Sequence, residues 1–201
     1  MARPSNKAQR RKQLAEALLS LMAERGYEGT SVSEIAARAG LNQGLVYYHF
    51  KSKLEVLLAA LELLAAQHEA RLDGAMAAAG DTPWAQVEAY INAHLGLTAT
   101  ADAQALKSWI DVSSEALRQP EVQAPFRAIL LSLTGRLAGV IERGVREGVF
   151  NADPPAASAA LVATIQGYLL LAGTARDVIP HGTAALSTIA MARGLLNLKE
   201  A

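Results

Sequence analysis

A short segment near the amino terminus, residues 42–53, concentrates hydrogen-bonding, aromatic and basic side chains. Gln43 offers a donor and an acceptor, the pair that can bond the N6 and N7 positions of adenine. The backbone of Gly44 can approach a partner closely and direct its amide at a phosphate. Tyr47 and Tyr48 are adjacent, so on a helix they point about 100° apart and can hardly both be buried. At least one tyrosine should therefore offer its hydroxyl to a phosphate or its ring to a thymine methyl group.

Basic and hydroxyl side chains flank this segment. His49, Lys51 and Lys53 lie at its far end, where we expect a DNA backbone to pass. Thr30 or Ser31, just before the preceding helix, is a further expected phosphate contact. The predicted DNA-contacting residues are Thr30, Ser31, Asn42, Gln43, Gly44, Leu45, Tyr47, Tyr48, His49, Lys51 and Lys53.

The charge distribution is uneven although the chain of 201 residues is neutral overall. Residues 1–53 contain nine basic and four acidic residues, a net charge of +5, so the remainder carries −5. A basic amino-terminal part on an acidic body indicates that only the former contacts a polyanion. Its basic tail could follow the DNA backbone or enter the minor groove; the tail residues are Arg3, Lys7, Arg10, Arg11 and Lys12.

Two short helices and a tight turn must position these side chains. Apolar residues at helical spacing predict a first helix over about 7–25. Ser31 and Glu34 have the spacing of a capping box, which starts a second helix that ends near Ala39. Gly40 supplies the left-handed residue that stops that helix.

Asn42 then caps a third helix over about 43–49. Two such helices joined by a glycine-containing turn form the helix-turn-helix arrangement, and the exposed face of the second can enter a major groove. A solvated helical hairpin is the plain alternative, but the capping box, glycine turn, asparagine cap, tyrosine pair and positive charge together favour DNA binding.

The rest of the chain is also predicted to be helical, because 51% of the residues of the whole sequence are hydrophobic and only 5% are aromatic. About nine helices, no strand and an all-α fold are expected. The domains would be a helix-turn-helix domain at 1–53 and a helical ligand-binding and dimerisation domain at 54–201. The helix from Ala101 to about Leu117 should turn Leu106, Trp109, Ile110 and Leu117 inward. The final helices should span about 156–175 and 183–198.

Residues 7–55 resemble the DNA-binding domain of the TetR/AcrR family of transcriptional regulators. The resemblance rests on Ile35-Ala36, Ala39-Gly40-Leu41, Gly44, Tyr47, His49-Phe50 and Lys53. Asn42 replaces the usual serine, and Leu45 stands where the family often has a small residue or threonine. The resemblance implies a homodimer formed by the last two helices, a ligand pocket enclosed by the middle helices, and release of DNA when ligand binds.

A dimer is also expected on physical grounds, because one short helix reads few bases and two-fold symmetry presents two helices to a palindrome. Residues 154–175 are uncharged and long enough to span a bilayer, but their prolines, polar residues and alanines favour a buried or subunit-facing helix. The expected interface residues are Ala159, Ala160, Ala163 and Gly167, with Leu186, Ile189, Leu195 and Leu196 from the final helix.

Polar and aromatic side chains on otherwise apolar faces suggest a site for a small-molecule effector. They are Trp84, His94, Trp109, Ser113, Phe126, Thr134, Gln166 and Tyr168. Each of them could equally be a satisfied polar group or a packed aromatic residue of the core.

Signals for an enzyme are weak. The chain has no cysteine, its four histidines show no close pair at metal-ligand spacing, and no nucleophile elbow occurs. Gly135 and Gly139 are interpreted as a site of close helix packing. The sequence therefore predicts a cytoplasmic, ligand-responsive repressor that binds a double-stranded DNA operator, without catalytic residues, metal, cofactor or membrane contact. An activator without a ligand, a small-molecule-binding protein with a vestigial helix-turn-helix, and a helical enzyme remain alternatives.

Overall fold

The computed structural model describes residues 6–96 and 103–198. Within these ranges the chain forms nine α-helices and no strand, which confirms the predicted all-α fold. The helices are α1 (Asn6–Arg25), α2 (Val32–Arg38), α3 (Gln43–His49), α4 (Lys53–Ala78), α5 (Pro83–Leu95), α6 (Ala103–Ala116), α7 (Pro120–Arg146), α8 (Pro154–Thr174) and α9 (Thr183–Leu195). Arg3 of the predicted basic tail and Ala101, the predicted start of a helix, lie outside the described residues.

The described chain divides into two compact units. The first comprises residues 6–67 and 103–127, so it contains α1–α3, the first half of α4, α6 and the start of α7. Helix α6 packs along α1 in this unit, and the buried Ser108 hydroxyl donates to the carbonyl oxygen of Leu19 at 3.1 Å. The inward face of α1 is formed by Leu14, Leu18, Leu21 and Met22.

The second unit comprises residues 68–96 and 128–198. Helices α5, α8 and α9 pack on one another in this unit, and the continuations of α4 and α7 complete it. Its core contains the fully buried side chains of Leu72, Val87, Tyr90, Ile91, Leu137 and Ile141. This core is aliphatic almost throughout, as expected from a composition rich in alanine and leucine and poor in aromatic residues.

The structure corrects two predicted burial states and one predicted helix start. Leu117 is 87% exposed because α6 ends at Ala116 and the inward positions are Ser108 and Val112. Leu196 is fully buried in its own unit, so it is not available to an interface. Helix α8 starts two residues earlier than predicted because Pro154 occupies its first turn, where the missing amide costs nothing.

The predicted close packing at the two glycines of α7 is also wrong. A Cβ atom on Gly135 or Gly139 would have no heavy atom within 4 Å, since both lie on the exposed or open side of the helix. The close approach is at Gly144, where a Cβ would lie 2.1 Å from the Cδ2 atom of Phe150. Phe150 is buried, so Gly144 is the position of α7 that requires glycine.

Helices α7 and α8 are long and apolar enough to span a membrane by length and composition alone. Core helices of folded proteins pass the same test. Both helices bury one face in the second unit, α7 through Leu133, Leu137 and Ile141 and α8 through Leu161 and Ile165. This packing supports the interpretation of residues 154–175 as a helix packed against protein.

Candidate nucleic-acid interface

The capping box predicted at the start of α2 is present. The Ser31 hydroxyl accepts the amide of Glu34 at 3.3 Å, and the Glu34 carboxylate accepts the amide of Ser31 at 2.8 Å. Gly40 has a φ of +66°, and the amide of Leu41 bonds back to the carbonyl oxygen of Ala36 at 2.9 Å. These bonds stop α2 and turn the chain directly into α3.

Helix α3 begins at the predicted cap and turns one face inward. The Asn42 side-chain oxygen accepts the amide of Leu45 at 2.9 Å. Val46 and Phe50 are 1% and 2% exposed, so they fix this short helix to its unit. Since α2 and α3 both contact α1, the three helices form one compact headpiece, defined as residues 6–52.

The opposite side of α3 forms the reading face, defined as Gln43, Gly44, Tyr47 and Tyr48. All four residues are exposed, and the two tyrosines are 55% and 79% exposed. Leu45 is half-buried beside them. The structure thus brings together an amide, a bare backbone and two phenol groups, which can bond base edges and phosphates and contact a thymine methyl.

A groove of about 660 Å³ separates the start of α1 from α3. It is lined by Asn6, Lys7, Arg10, Asn42, Gly44, Leu45, Tyr48 and His49. Burial, followed by the nearby charges of Lys7, Arg11 and Arg10, lowers the pKa of His49 below its usual 6.5. His49 is therefore neutral at pH 7, and the cations beside this groove are those of Lys7 and Arg10.

Thr30 is a correction to the predicted contact residues. Its side chain is 3% exposed, and its hydroxyl donates to the carbonyl oxygen of Gly26 at 3.0 Å. It faces inward because Gly26, with a φ of +77°, reverses the chain after α1. Ser31 is exposed, and its hydroxyl is engaged with Glu34 and Ser33.

Two of the basic side chains expected at the DNA backbone bond the headpiece itself. The Arg11 guanidinium donates to the carbonyl oxygen of His49 at 2.5 Å and lies over the Phe50 ring. The Lys53 ammonium donates to the carbonyl oxygens of Tyr27 and Thr30 at 2.8 and 2.9 Å. Lys51, by contrast, is exposed.

Ion pairs neutralise further cations of this region. Arg25 pairs with Glu34 at 2.8 Å. Arg38 pairs with Glu24 at 2.7 Å and also bonds Ser20, while Lys12 lies 3.7 Å from Glu16. The positive charge that the sequence places on residues 1–53 is therefore only partly available to an anionic partner.

The candidate effector residues are divided between the two units. In the first unit the rings of Trp109 and Phe126 lie 4.9 Å apart, and the Ser113 hydroxyl donates to the carbonyl oxygen of Ile110. In the second unit Trp84 packs edge-on against Phe150 at 6.5 Å. The Thr134 hydroxyl bonds the preceding turn of α7, and Gln166 and Tyr168 are half-buried in α8.

His94 has a partner that the sequence did not reveal. Its Nε2 atom lies 2.8 Å from Nε2 of His68, and its Nδ1–H donates to the carbonyl oxygen of Tyr90 at 2.7 Å. Arg71 donates to Nδ1 of His68 at 2.9 Å, so His68 must carry its proton on Nε2 and donate to His94. The two histidines are 26 residues apart and on different helices, so no spacing pattern in the sequence could indicate the pair.

Burial keeps this histidine pair neutral. Desolvation lowers the pKa of His68 to about 3, with smaller effects from His94, Arg71 and Arg136. Desolvation also lowers the pKa of His94 to about 4. The described residues contain no group of three or more side chains that could hold a metal ion.

Comparison with known families matches both parts of the chain. Residues 14–60 match the bacterial regulatory proteins of the tetR family. Residues 83–196, more than half of the chain, match the carboxy-terminal domain of BetI-type transcriptional repressors.

Individual proteins similar to this chain are also transcriptional regulators by name. The HTH-type transcriptional regulator BetI of Burkholderia mallei is 30% identical over 114 residues, 57% of this chain and 58% of that protein. The match thus spans less than two thirds of that relative. A putative TetR-family transcriptional regulator from Rhodococcus sp. superposes with a TM-score of 0.83 at 19% identity, covering 94% of this chain and 99% of the other.

A putative transcriptional regulator from Saccharomonospora viridis, solved in complex with choline, has the same fold. Its TM-score is 0.79 at 20% identity, over 96% of this chain and 100% of the other. With a capped helix-turn-helix in the headpiece and family matches over both parts, the chain belongs to the TetR family of bacterial regulatory proteins.

Proposed function

We propose that the protein is a cytoplasmic transcriptional repressor that binds a palindromic DNA operator as a homodimer and is released by a small molecule. The observation that carries this proposal is the reading face of α3. Two adjacent tyrosines are exposed on a helix that is anchored from behind by Val46 and Phe50. Large exposed aromatic side chains that protrude beside a basic groove are a typical surface for a nucleic-acid partner.

The dimer would form through an apolar surface on the last two helices. This carboxy-terminal face is defined as Ala159, Ala160, Ala163, Gly167, Leu170 and Leu171 of α8 with Leu186, Met191 and Leu195 of α9, all exposed. Leu170 and Leu186 are 50% and 69% exposed. Small residues on α8 would let a second copy approach closely, and Ile189 is half-buried at the edge of the face.

The effector would bind in the helical body, residues 54–201, and the DNA in residues 1–53. The candidates Trp84, His94, Trp109, Ser113, Phe126, Thr134, Gln166 and Tyr168 remain predictions. A neighbour of the same fold holds choline, which supports a small-molecule site in a body of this architecture. Helix α4 starts directly after the headpiece and contributes residues to both units. An effector that binds one position of α4 more tightly than another would therefore shift the balance between DNA-binding and released states of the headpiece.

The test is a binding measurement on DNA that the protein itself selects from a random-sequence duplex library. We expect Tyr47→Ala to weaken binding to the selected duplex about 10- to 100-fold, because a base contact contributes about 1–3 kcal/mol. Leu117→Ala is the matched control, since Leu117 is a large exposed side chain outside α3. Unchanged sequence preference in Tyr47→Ala would refute the assigned reading face.

A further inference from the structure

The groove between the start of α1 and α3 has different chemistry on its two sides. Its α1 side carries the cations of Lys7 and Arg10, which attract an anionic strand. Its α3 side carries Leu45, the one aliphatic side chain among the described residues that line the groove. A leucine cannot bond a phosphate, so its place in a groove that is otherwise suited to DNA calls for a different explanation.

The first turn of α3 fixes the position of Leu45. The amide of Leu45 donates to the Asn42 side-chain oxygen at 2.9 Å. The next residue, Val46, is 1% exposed and points into the headpiece. Because successive residues of a helix point about 100° apart, Leu45 is turned away from that core, where it lines the groove and is half-buried.

The backbone beside Leu45 leaves room for a partner. Gly44 is exposed, and a Cβ atom placed on it would have the Asn42 Oδ1 atom at 3.4 Å, an ordinary van der Waals contact. Packing within the chain therefore does not require a glycine there, although glycine is a poor helix former. The bare backbone at Gly44 lets a base edge come within reach of the Leu45 side chain.

A leucine in a major groove favours one kind of group. Base edges there present hydrogen-bonding atoms, and the one apolar group among them is the C5-methyl group of thymine. Against a guanine or cytosine edge, a leucine would displace water from donors and acceptors without replacing the lost hydrogen bonds. Residues in the first turn of a recognition helix are the ones that contact base edges.

We propose that Leu45 contacts the C5-methyl group of a thymine in each half of the operator and so selects thymine at that position. This inference rests on the proposed function and deepens it, because it names the base group that one residue recognises. The competing role for Leu45 is packing between α3 and the start of α1. A packing residue affects binding to every duplex, whereas a methyl contact affects only duplexes that carry the methyl group at one position.

The experiment replaces the thymines of the selected duplex by deoxyuridine, one symmetric pair at a time, because this change removes the methyl group alone. Fluorescence anisotropy measures the affinity for each duplex. At one pair of positions we expect a loss of about fourfold per half-site, or about 15-fold in total, the effect of one buried methyl group in each half. In Leu45→Ala the same replacement should have no effect, since the side chain that contacts the methyl group is absent.

Leu41→Ala is the matched control. Leu41 is also a half-buried leucine, in the turn before α3, and it is not among the residues that line the groove. This variant should keep the full effect of deoxyuridine, whatever its overall affinity. Circular dichroism shows which variants are folded, and Leu45→Gln, which also removes the apolar contact, replaces Leu45→Ala if the latter does not fold.

A second readout uses the wild-type protein and the base that lacks the methyl group by nature. Cytosine in place of the sensitive thymine, with guanine opposite, should weaken binding. 5-Methylcytosine at the same position should recover about fourfold per half-site, because it restores the methyl group alone.

Two results would overturn the methyl contact while leaving the proposed function intact. One is a wild-type protein that binds every deoxyuridine duplex as tightly as the selected duplex. The other is a loss on deoxyuridine replacement that is the same in Leu45→Ala as in the wild type at every thymine pair. If the wild-type protein enriches no sequence from the library, the proposed function fails and the methyl contact fails with it.

Discussion

The headpiece and the last two helices are stabilised by different kinds of interaction. In the headpiece, side chains satisfy backbone groups at the helix ends. Ser31 and Asn42 cap the starts of α2 and α3, and the Gln13 amide donates to the carbonyl oxygen of Ala39, the residue directly after α2. At the start of α8 the Asp153 side chain makes no capping bond, and at the start of α9 the cap position is Gly182, which has no side chain. Local hydrogen bonds thus specify the headpiece, whereas packing specifies the carboxy-terminal helices.

The headpiece and the second unit also differ in the charge state of their basic side chains. Backbone carbonyl oxygens of the headpiece accept hydrogen bonds from cations, namely Arg11 of the headpiece and Lys53 at the start of α4. The core of the second unit instead holds two neutral histidines, whose proton positions are fixed by Arg71 and the Tyr90 carbonyl. Charge near the surface can be retained, but burial in an apolar core favours the neutral form of a histidine.

The largest expected effect comes from charging the carboxy-terminal face. We expect the double variant Leu170→Glu/Leu186→Glu to be monomeric by sedimentation, because it places carboxylates where two copies would meet. Its binding to the selected duplex should fall by at least about hundredfold, since one headpiece then binds without the second.

Leu131→Glu is the matched control for that variant. Leu131 is a similarly exposed leucine of the same unit, on α7. A double variant that still sediments as a dimer would refute the assignment of the carboxy-terminal face as the dimer interface.

Gly144→Ala tests whether packing alone shapes the end of α7. A methyl group there would overlap the buried Phe150 ring, so we expect the free energy of unfolding to fall by about 1–3 kcal/mol. Gly139→Ala on the same helix meets no atom within 4 Å and should raise stability by up to about 1 kcal/mol. Chemical denaturation measures both, and equal effects at the two glycines would contradict the account.

The histidine pair predicts a pH dependence that belongs to the second unit. Because burial lowers the pKa of His68 and His94 to about 3 and about 4, the unfolded chain binds protons below pH 6.5 that the folded chain does not. The free energy of unfolding should therefore decrease as the pH falls from about 6.5 to about 4, by up to about 1.4 kcal/mol per pH unit for each histidine.

His68→Gln should flatten this dependence, because it removes one titrating group and retains an amide that can donate to His94. The exposed His181 offers the matched control variant His181→Gln. Identical pH profiles for wild type and His68→Gln would show that the pair does not titrate as described.

The smallest expected effect tests the capping of the headpiece. Asn42→Ala removes the acceptor for the Leu45 amide and should lower stability by about 1 kcal/mol. Asp153→Ala at the start of α8 should change little, since that side chain makes no capping bond. Thermal unfolding of the two variants compares them, and a larger loss in Asp153→Ala would reverse the contrast between the regions.

The same contrast explains what could be predicted from the sequence. The capping box, Gly40 and Asn42 act within a few residues, so the ends of α2 and α3 were predicted almost to the residue. The inward turn of Leu117 was predicted wrongly because hydrophobicity alone does not show where α6 ends.

Contacts between residues far apart in the chain could not be predicted from the sequence. The spacing of Gly135 and Gly139 suggested close packing, but whether a glycine meets a neighbour depends on which helix face is inward. The bonds from Arg11 to His49 and from His68 to His94 join residues 38 and 26 positions apart. No periodicity within one helix indicates such pairs, so only the structure shows which partners these side chains bond.

The most direct test of the central claim is the symmetry of the DNA that the wild-type protein selects from random duplexes. If two copies present their α3 helices to one duplex, the enriched sequence will be an inverted repeat with half-sites about one helical turn apart, or a multiple of that distance. Enrichment of a sequence without two-fold symmetry, or of none at all, would contradict a dimeric repressor that reads DNA through Tyr47 and Tyr48.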